Sequence, residues 1–339
     1  MTFTNTQIVL ARRPQGTATA DCFRIERPLL APPAKGEVQV AVEYLSVDAG
    51  TRTMLEGEGF HAQVGLGEPI LAGGVGRVVA SGVPGWEPGQ AVLGGLGAQT
   101  RVNLPAAHLT RIDDSAVPIQ SHLGVLSMTT GGTAWIGMRC LAKPKPDDLF
   151  VVSAAAGAVG SIAAQIAKKD GARVIGIAGG SRKTQFLLDE LGLDAAIDYK
   201  RESVHERLAD LAREGVNGFF DNVGGAVLDA VLDHLALRAR VTICGAVSQY
   251  NNMNDIVGPA AYLRLAERQA VMEGFAFLHF PEQFGAATEE LTQWVLDDSL
   301  VLAEEVLEGI ERYPQALEFM FSGGNLGKLL VKVCHESLS

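Results

Sequence analysis

The sequence predicts an α/β fold in which a doubly wound parallel sheet follows a β-rich first third. In the first third, short apolar runs are separated by turns rich in Gly and Pro, a pattern typical of consecutive strands. From about residue 125 onward, strand-like and helix-like segments alternate, which indicates a parallel sheet with helices on both faces. The 39 glycines exceed the usual share of roughly 7%, as the many short turns of such a fold require.

The strands of the first third are predicted from their alternation. Glu37–Leu45 largely alternates polar and apolar residues, the period of a half-buried strand. Gly76–Ala80 is a second candidate, and the turn residues of Gly82–Gly89 precede the apolar Ala91–Leu93. Strands at this spacing indicate a barrel or a sandwich.

The second region is predicted as a βαβα series. Its strands are expected at Leu149–Ser153, Arg173–Ile177, Gly218–Asp221 and Arg240–Gly245. Its helices are expected at Gly160–Lys169, Lys183–Leu191, Ser203–Arg213 and Val227–Leu235. After Asp298 come a predicted strand at Val301–Leu302, a helix at Pro314–Phe321 and a strand at Lys328–Val333, a tail expected to return to the first domain.

Composition excludes several classes of protein. A formal net charge of -11 argues against nucleic-acid binding and against electrostatic docking on anionic membranes. The cysteines Cys22, Cys140, Cys244 and Cys334 are far apart, so a disulfide framework is not expected. Met1–Arg12 lacks the pattern of a signal peptide, and a cytoplasmic location is expected. Leu149–Ala167 is uncharged and near the length of a membrane span, but its glycines favour a strand, a turn and a helix.

A glycine-containing turn, Ala154–Gly160, joins the first predicted strand of this series to its helix. The unpaired N–H groups and the dipole of a helix start suit a pyrophosphate. Gly157 and Gly160 match the last two glycines of the G-x-G-x-x-G pattern, and Ala155 replaces the first. A buried, Ala-rich helix start also gives A-x-G-x-x-G, so the position within a βαβ unit is what predicts a Rossmann dinucleotide site.

The second strand of this series favours NADP(H) over NAD(H). NAD-binding proteins commonly end that strand with Asp or Glu, which bonds the ribose 2′-hydroxyl. Here Val174–Ile177 continues into Ala178-Gly179-Gly180-Ser181-Arg182-Lys183, without a carboxylate. The basic residues would neutralise a 2′-phosphate, although a solvated helix start would also explain them.

Several longer motifs resemble a known family, the zinc-independent medium-chain dehydrogenase/reductases of the leukotriene B4 dehydrogenase/prostaglandin reductase type, which include alkenal/one reductases and curcumin reductases. The resemblance covers nearly the whole chain, and the stretches around Asn222 and Tyr250 are its most specific parts. The matching segments are Leu45–Asp48, Met128–Thr129, Val152–Ser161, Phe220–Gly225, Cys244–Asn251, Glu273–Phe275 and Asn325–Lys328.

The resemblance implies a domain plan and cofactor-binding positions. It implies a GroES-like catalytic domain at 1–125, an inserted NADP-binding Rossmann domain at 126–297, and a return to the catalytic domain at 298–339, with homodimers common. The implied NADPH-binding residues are Gly157, Ala158, Val159, Gly160, Lys183, Tyr199, Asn222, Cys244, Gly245, Ala246, Val247, Ser248, Tyr250, Phe275, Ala276, Phe277 and Asn325. Without the family, Asn222 and Asn325 would be interpreted as structural turn residues.

No zinc site is expected. Zinc-dependent relatives use Cys and His ligands to polarise an alcohol or carbonyl oxygen. Leu45–Asp48 contains no cysteine, Gly65–Pro69 lacks a Gly-His-Glu pattern, and the seven histidines are scattered.

The predicted activity is NADPH-dependent reduction of the activated C=C bond of α,β-unsaturated ketones or aldehydes, by hydride transfer to the β-carbon. The alternatives are an NADPH:quinone oxidoreductase and a catalytically inactive NADPH-binding protein. Tyr250 is the candidate hydrogen-bond donor to the substrate oxygen, because a phenol stays protonated at neutral pH. Tyr250 could instead pack on the cofactor or bond a ribose, and the cofactor ribose 2′-hydroxyl could donate in its place. Tyr262 is a weaker candidate.

One stretch departs from the family. Relatives often carry Asp-Pro-Tyr-Met-Arg where this chain has Asp48-Ala49-Gly50-Thr51-Arg52, so Gly50 replaces an aromatic residue. If that ring lines the substrate pocket in relatives, the pocket of this protein has a different shape. Asp48 and Arg52 are expected to form an internal ion pair that positions the loop.

Overall fold

The structure is a computed structural model that describes residues 2–59 and 61–333. The chain divides into two compact units. Val125–Ala303 forms one unit, and the described residues before and after it form the other. Cys334 and the residues after it lie outside the described residues.

The described residues form strands β1 (Phe3–Thr4), β2 (Gln7–Leu10), β3 (Phe23–Glu26), β4 (Leu29–Leu30), β5 (Glu37–Ser46), β6 (Gly74–Ser81), β7 (Ala91–Gly94), β8 (Arg101–Pro105), β9 (Leu109–Arg111), β10 (Leu149–Ser153), β11 (Arg173–Ala178), β12 (Ala195–Asp198), β13 (Val216–Asp221), β14 (Leu235–Ile243), β15 (Val271–Gly274), β16 (Glu304–Glu308) and β17 (Lys328–Lys332).

The α-helices are α1 (Gly50–Met54), α2 (Thr133–Ile136), α3 (Ala158–Lys169), α4 (Ser181–Gln185), α5 (Val204–Leu211), α6 (Gly225–Leu232), α7 (Leu263–Glu267), α8 (Phe284–Leu296) and α9 (Tyr313–Phe321). Three π-helical segments adjoin α2 and α4, at Met128–Gly132, Gly137–Ala142 and Phe186–Glu190. Short 3₁₀ turns occur at Ala20–Cys22, Ala106–His108, Ile119–His122, Val247–Asp255, Phe277–His279, Pro281–Gln283 and Ile310–Arg312. Among the described residues, no helix is long and apolar enough to cross a bilayer.

The unit Val125–Ala303 contains a parallel sheet in the order β12-β11-β10-β13-β14-β15. Numbered by chain order within the unit, this is 3-2-1-4-5-6, the doubly wound arrangement of dinucleotide-binding proteins. All five residues of β10 are buried, as a central parallel strand with both faces covered requires. The strand order reverses between β10 and β13, so a ligand is expected at their carboxyl ends.

The other unit is a mostly antiparallel sheet in the order β16-β17-β5-β6-β7-β9, with β8 also paired to β5. The tail returns to this sheet, because β17 pairs with β5 in the register Leu330 to Ser46. Its core includes Tyr313, which is completely buried and donates its hydroxyl to the carbonyl oxygen of Ser46 at 3.0 Å. The predicted fold class, a Rossmann sheet inserted into a GroES-like domain, is confirmed.

Some predicted elements differ from the observed ones. The predicted strand at Val301–Leu302 is wrong: these residues form a loop, where the backbone N–H of Val301 donates to the side chain of Gln165 at 2.7 Å. The predicted helix at Val227–Leu235 extends too far, since α6 ends at Leu232 and β14 begins at Leu235. Several elements were not predicted, among them the short strands β12 and β15, which have only four residues each, and helix α8.

Candidate dinucleotide-binding site

The turn between β10 and α3 has the geometry of a phosphate-binding loop. Ala154 adopts a left-handed conformation with φ 47°, and Gly157 is the N-cap of α3. A Cβ at Gly160 would lie 2.3 Å from the carbonyl oxygen of Ala154, so the helix can approach the turn this closely only with glycine there. The predicted residues Gly157, Ala158, Val159 and Gly160 therefore form the first turn of α3, where unpaired N–H groups suit a pyrophosphate.

At the carboxyl ends of β11 and β12, the structure brings together groups suited to a 2′-phosphate. A Cβ at Gly179 would lie 2.8 Å from the Tyr199 ring and 3.0 Å from Cε of Lys200, so both side chains lie over this glycine. Tyr199 is 47% exposed, and the half-buried Lys183 lies in α4, which begins one residue after Gly180. Lys200 is a further cation at this place and was not predicted from the sequence.

A carboxylate does lie at the end of β12, but its hydrogen bonds are to the protein backbone. Asp198 is buried and accepts hydrogen bonds from the backbone N–H groups of Gly180 at 2.8 Å and Lys200 at 3.1 Å. Asp198 thus fixes the loop that follows β11, and β11 itself ends in Ala178. The absence of a carboxylate at the end of the second strand, predicted from sequence, agrees with the observed end of β11.

At the carboxyl ends of β10 and β13, Asn222 is held by two hydrogen bonds. Its backbone N–H donates to Oγ of Ser153 at 2.8 Å, and its side-chain Nδ2 donates to the carbonyl oxygen of Ser153 at 2.7 Å. The hydroxyl of Ser153 in turn donates to Oδ1 of the completely buried Asp221 at 2.7 Å. Burial raises the pKa of Asp221, and its hydrogen bonds from Ser153, Val223 and Gly224 oppose that shift.

The loop that follows β14 contains the predicted residues Cys244, Gly245, Ala246, Val247, Ser248 and Tyr250. It is attached to the end of β13 by backbone hydrogen bonds from Cys244 to Asp221 at 2.8 Å and from Val247 to Asn222 at 3.1 Å. Burial raises the pKa of the Cys244 thiol to about 12, with a further contribution from the Asp221 charge. This thiol is therefore a neutral packing group.

The Tyr250 hydroxyl lies over the backbone of this loop. Its oxygen accepts a hydrogen bond from the backbone N–H of Ala246 at 3.3 Å and lies 2.9 Å from the position of a Cβ at Gly245. Burial raises the pKa of Tyr250, while the Ala246 N–H opposes the shift. The phenol is thus protonated, and its hydrogen can be donated. Tyr262, the weaker candidate, is 57% exposed at the N-cap of α7.

The segment Phe275, Ala276 and Phe277 follows β15, next to β14 in the sheet. The Phe275 ring packs edge-on against Phe220, and a Cβ at Gly137 would lie 2.7 Å from it. The Phe275 side chain is partly exposed, and its ring also lies edge-on to Phe280, so these contacts fix its position beside β14.

In the other unit, the structure corrects the predicted ion pair between Asp48 and Arg52. Asp48 pairs with Lys328, whose side chain is 4% exposed, at 2.5 Å. Arg52 pairs instead with Glu56, one helical turn later, and donates to the carbonyl oxygen of Gly16. Asn325 is buried, and its Nδ2 donates to the carbonyl oxygen of Gly327 at 2.9 Å, which leaves its Oδ1 as an acceptor.

Ser153, Asp198 and Asp221 position the site but were not predicted from the sequence. Each is a buried polar residue at the last position of a strand. That placement was a usable signal, because polar groups at the carboxyl ends of parallel strands either contact a ligand or fix the loops that do.

Two family models match the chain. The model described as the N-terminal domain of oxidoreductase matches residues 6–112, and the model described as zinc-binding dehydrogenase matches residues 158–293. The NADPH-dependent curcumin reductase of Escherichia coli is 33% identical, with 98% of each chain covered. The NADP(+)-dependent 2-alkenal reductase of Nicotiana tabacum is also 33% identical, with 98% of each chain covered.

The comparison with solved structures agrees. CurA from Vibrio vulnificus in complex with NADPH has a TM-score of 0.92 and 35% identity, over 98% of this chain and all of that one. The chain belongs to the zinc-independent medium-chain dehydrogenase/reductases. The Escherichia coli quinone oxidoreductase complexed with NADPH, at 22% identity and a TM-score of 0.75, shares the fold of this medium-chain reductase.

The description of the second model mentions zinc, whereas residues 2–59 and 61–333 contain no group of three or more His, Cys, Asp or Glu side chains that could hold a metal ion. The matched region, 158–293, lies within the unit Val125–Ala303 of this reductase.

Proposed function

We propose that this protein is an NADPH-dependent reductase of the activated C=C bond in α,β-unsaturated ketones and aldehydes. The most direct support is the Tyr250 hydroxyl, which burial keeps protonated. It lies in the loop after β14, the strand next to the β10–β13 pair at which the strand order reverses. The curcumin and 2-alkenal reductases, both about as long as this chain and one third identical to it, support the same reaction class.

The residues of the nucleotide-binding unit fit NADPH. The turn between β10 and α3, with Gly157 and Gly160, suits the pyrophosphate. Lys183 and Tyr199 suit the 2′-phosphate. Asn222 and the loop from Cys244 to Tyr250 suit the nicotinamide half, with Asn325 as a further proposed contact. We accordingly assign NADPH binding chiefly to residues 126–297 and the catalytic domain to 1–125 and 298–339.

NADPH, when bound, supplies a hydride for the β-carbon of the substrate, and a proton taken up from water at the α-carbon would complete the reduction. The chain's own part is to orient the enone and to stabilise the negative charge that develops on its carbonyl oxygen. A preorganised donor at that oxygen strengthens its hydrogen bond as the charge grows. Tyr250 is suited to this, because the Ala246 N–H occupies one lone pair of its oxygen and leaves the O–H for the substrate.

The test is a consumption assay with NADPH and NADH across simple enones, trans-2-alkenals and quinones. We expect oxidation of NADPH with enones or enals, and a clear preference for NADPH over NADH. Turnover of quinones alone would replace the proposal by a quinone oxidoreductase. Binding of NADPH without turnover of any acceptor would indicate a catalytically inactive protein.

We further propose that the enzyme is a cytoplasmic homodimer. Strand β15 is at the edge of its sheet, and the apolar side chains of Val271 and Leu278 on and after it are 47% and 59% exposed. An unpaired edge of this kind suits pairing with a second copy. Light scattering should give twice the chain mass, and Val271→Lys should shift the protein toward the monomer.

The free thiols support the proposed cytoplasmic location. The described cysteines Cys22, Cys140 and Cys244 are all free, as is typical of a reducing compartment, and cell fractionation tests the location.

A further inference from the structure

A buried carboxylate lies at the point where the strand order of the parallel sheet reverses. Asp221, the last residue of β13, has no exposed surface. Its Oδ1 accepts the hydroxyl of Ser153 at 2.7 Å and the backbone N–H of Val223 at 3.0 Å, and its Oδ2 accepts the backbone N–H of Gly224 at 3.0 Å. A group so enclosed cannot touch a cofactor or substrate, so any effect on the reaction passes through its neighbours.

The first neighbour is Asn222, through Ser153. A carboxylate can only accept a hydrogen bond, so the Ser153 hydroxyl must direct its hydrogen toward Asp221. The Ser153 oxygen then presents a lone pair to the backbone N–H of Asn222, at 2.8 Å. The Asn222 side chain also donates to the Ser153 carbonyl at 2.7 Å, which leaves its Oδ1 and second N–H for another partner. The charge of Asp221 thus fixes the direction of the whole chain of hydrogen bonds.

The second neighbour is the loop after β14. The backbone carbonyl of Asp221 accepts the N–H of Cys244 at 2.8 Å and of Gly245 at 3.2 Å. The carbonyl of Asn222 accepts the N–H of Val247 at 3.1 Å. One buried acidic residue therefore connects three segments that differ widely in sequence position: the end of β10, the end of β13 and the loop that contains Tyr250.

We propose that Asp221 and Ser153 form a buried positioning pair, which holds the Asn222 amide and the loop from Cys244 to Ser248 in the arrangement that binds the nicotinamide half of NADPH. This inference rests on the proposed function, since it assumes that these two segments bind the cofactor. It assigns a role to two residues that do not touch the cofactor themselves.

The cost of burying this charge supports a functional rather than a stabilising role. A carboxylate removed from water destabilises a fold unless hydrogen bonds compensate it, and an apolar residue is often tolerated better at such a position. Burial raises the pKa of Asp221 despite its hydrogen bonds, so the compensation is incomplete. Incomplete compensation of this kind is common where a protein holds a site in one arrangement.

The experiment measures NADPH binding directly, by cofactor fluorescence and by calorimetry, in the full chain with no substrate present. Ser153→Ala removes the hydroxyl, and Ser153→Thr keeps it. Asp221→Asn places an N–H₂ group against backbone N–H donors. The control is Asp194→Asn, at the opposite end of the same sheet, where the carboxylate accepts the backbone N–H of Val174 at 2.7 Å and the Lys168 ammonium at 2.9 Å. Thermal unfolding is recorded for every variant.

We expect Ser153→Ala to weaken NADPH binding about tenfold, Asp221→Asn to weaken it more, and Ser153→Thr to recover most of the loss. With saturating NADPH, kcat of Ser153→Ala should fall as well, because a less firmly held nicotinamide is less well placed for hydride transfer, and Ser153→Thr should recover it. Asp194→Asn should bind NADPH normally, whatever its unfolding temperature. Unchanged NADPH affinity in a folded Ser153→Ala would overturn the proposal, as would an equal loss in Asp194→Asn. Failure of the proposed function would be distinct, because the original protein would then bind NADPH without reducing enones.

Discussion

The inner and outer parts of the candidate NADPH site are constructed differently. We call the carboxyl ends of β10, β13 and β14 the inner edge, and those of β11 and β12 the outer edge. At the inner edge, the buried Ser153 and Asp221 and backbone hydrogen bonds fix each segment to the next. At the outer edge, the exposed side chains of Tyr199 and Lys200 lie over Gly179, and the half-buried Lys183 is in the first turn of α4, where its backbone N–H donates to the Gly180 carbonyl oxygen at 3.1 Å.

This difference follows from what each edge has to bind. A nicotinamide ring must be held to a fraction of an ångström for hydride transfer, which requires rigid, packed groups. A 2′-phosphate needs charge more than exact geometry, and flexible cations provide it. Substitutions at the inner edge should therefore act through packing and be independent of salt, whereas those at the outer edge should be sensitive to salt.

The largest expected effect comes from filling the space above Gly160 at the inner edge. In Gly160→Ala the new Cβ would lie 2.3 Å from the Ala154 carbonyl oxygen, so α3 or the turn must shift. We expect a loss of about 1–3 kcal/mol in the free energy of unfolding. NADPH affinity should fall on the order of a hundredfold, because the pyrophosphate loop moves with the helix. Denaturant unfolding and cofactor fluorescence measure the two effects.

The matched control for this substitution is Gly285→Ala. Gly285 lies in α8, and a Cβ there would meet no atom within 4 Å. The control should leave NADPH binding unchanged and alter stability by no more than about 1 kcal/mol, in the stabilising direction. Normal stability and affinity in Gly160→Ala would show that the inner edge is less rigid than its packing indicates.

The second prediction concerns catalysis at the inner edge. Tyr250→Phe removes only the hydroxyl, so kcat with an enone should fall by about 10- to 100-fold while NADPH affinity changes little. Tyr262→Phe, at an exposed position, should have no effect. If Tyr250 only packs on the cofactor or bonds a ribose, kcat will be retained in Tyr250→Phe.

The pH dependence of kcat tests the same residue. The donor works in its protonated form, and burial raises the pKa of Tyr250 above the ordinary value of about 10. Activity that depends on this hydroxyl should therefore persist as pH rises to 10 and fall only above it. A loss of kcat centred clearly below pH 10, and absent from Tyr250→Phe, would contradict the raised pKa.

The third prediction is for the outer edge. Lys183→Ala should raise KM for NADPH about tenfold and leave KM for NADH unchanged, since only NADPH has the 2′-phosphate. Because the contact is accessible to solvent, the original protein should bind NADPH more weakly as salt increases from 50 to 500 mM, and the variant should show a smaller dependence. An equal effect on NADH would show that Lys183 acts on the structure of α4 rather than on the phosphate.

Elements with a strong local pattern could be predicted from the sequence, and short ones could not. Strand β10, the glycine turn and α3 were predicted nearly to the residue, because the glycines divide a long apolar run into a strand and a helix. The predicted cofactor residues within Val125–Ala303 all lie at or near the carboxyl ends of its parallel sheet, but their binding roles stay predictions. Strand β12, Ala195–Asp198, was missed because its four residues show neither a long apolar run nor clear alternation.

The errors involve contacts between residues distant in sequence. Asp48 was paired with Arg52, four residues later, because helix spacing makes such pairs common. The observed partner, Lys328, is 280 residues away and is brought to Asp48 when β17 pairs with β5. The role of Asp221 was missed for a similar reason, since its partner Ser153 precedes it by 68 residues. Sequence patterns predict local elements, whereas these pairs depend on the order of strands in a sheet.

The last prediction is a lack of thiol reactivity at the inner edge, which needs no change in binding or catalysis. Burial, with the Asp221 charge, raises the pKa of Cys244 to about 12, so very little thiolate exists at pH 8. Alkylation of the folded protein by iodoacetamide at that pH should be on the order of a thousandfold slower at Cys244 than in the unfolded chain, as followed by peptide mass spectrometry. Asp221→Asn removes the charge and should lower this pKa, so Cys244 should react faster in the folded variant. Rapid alkylation of the original protein would mean that the inner edge opens readily, and the proposed difference in rigidity between the two edges would then be wrong.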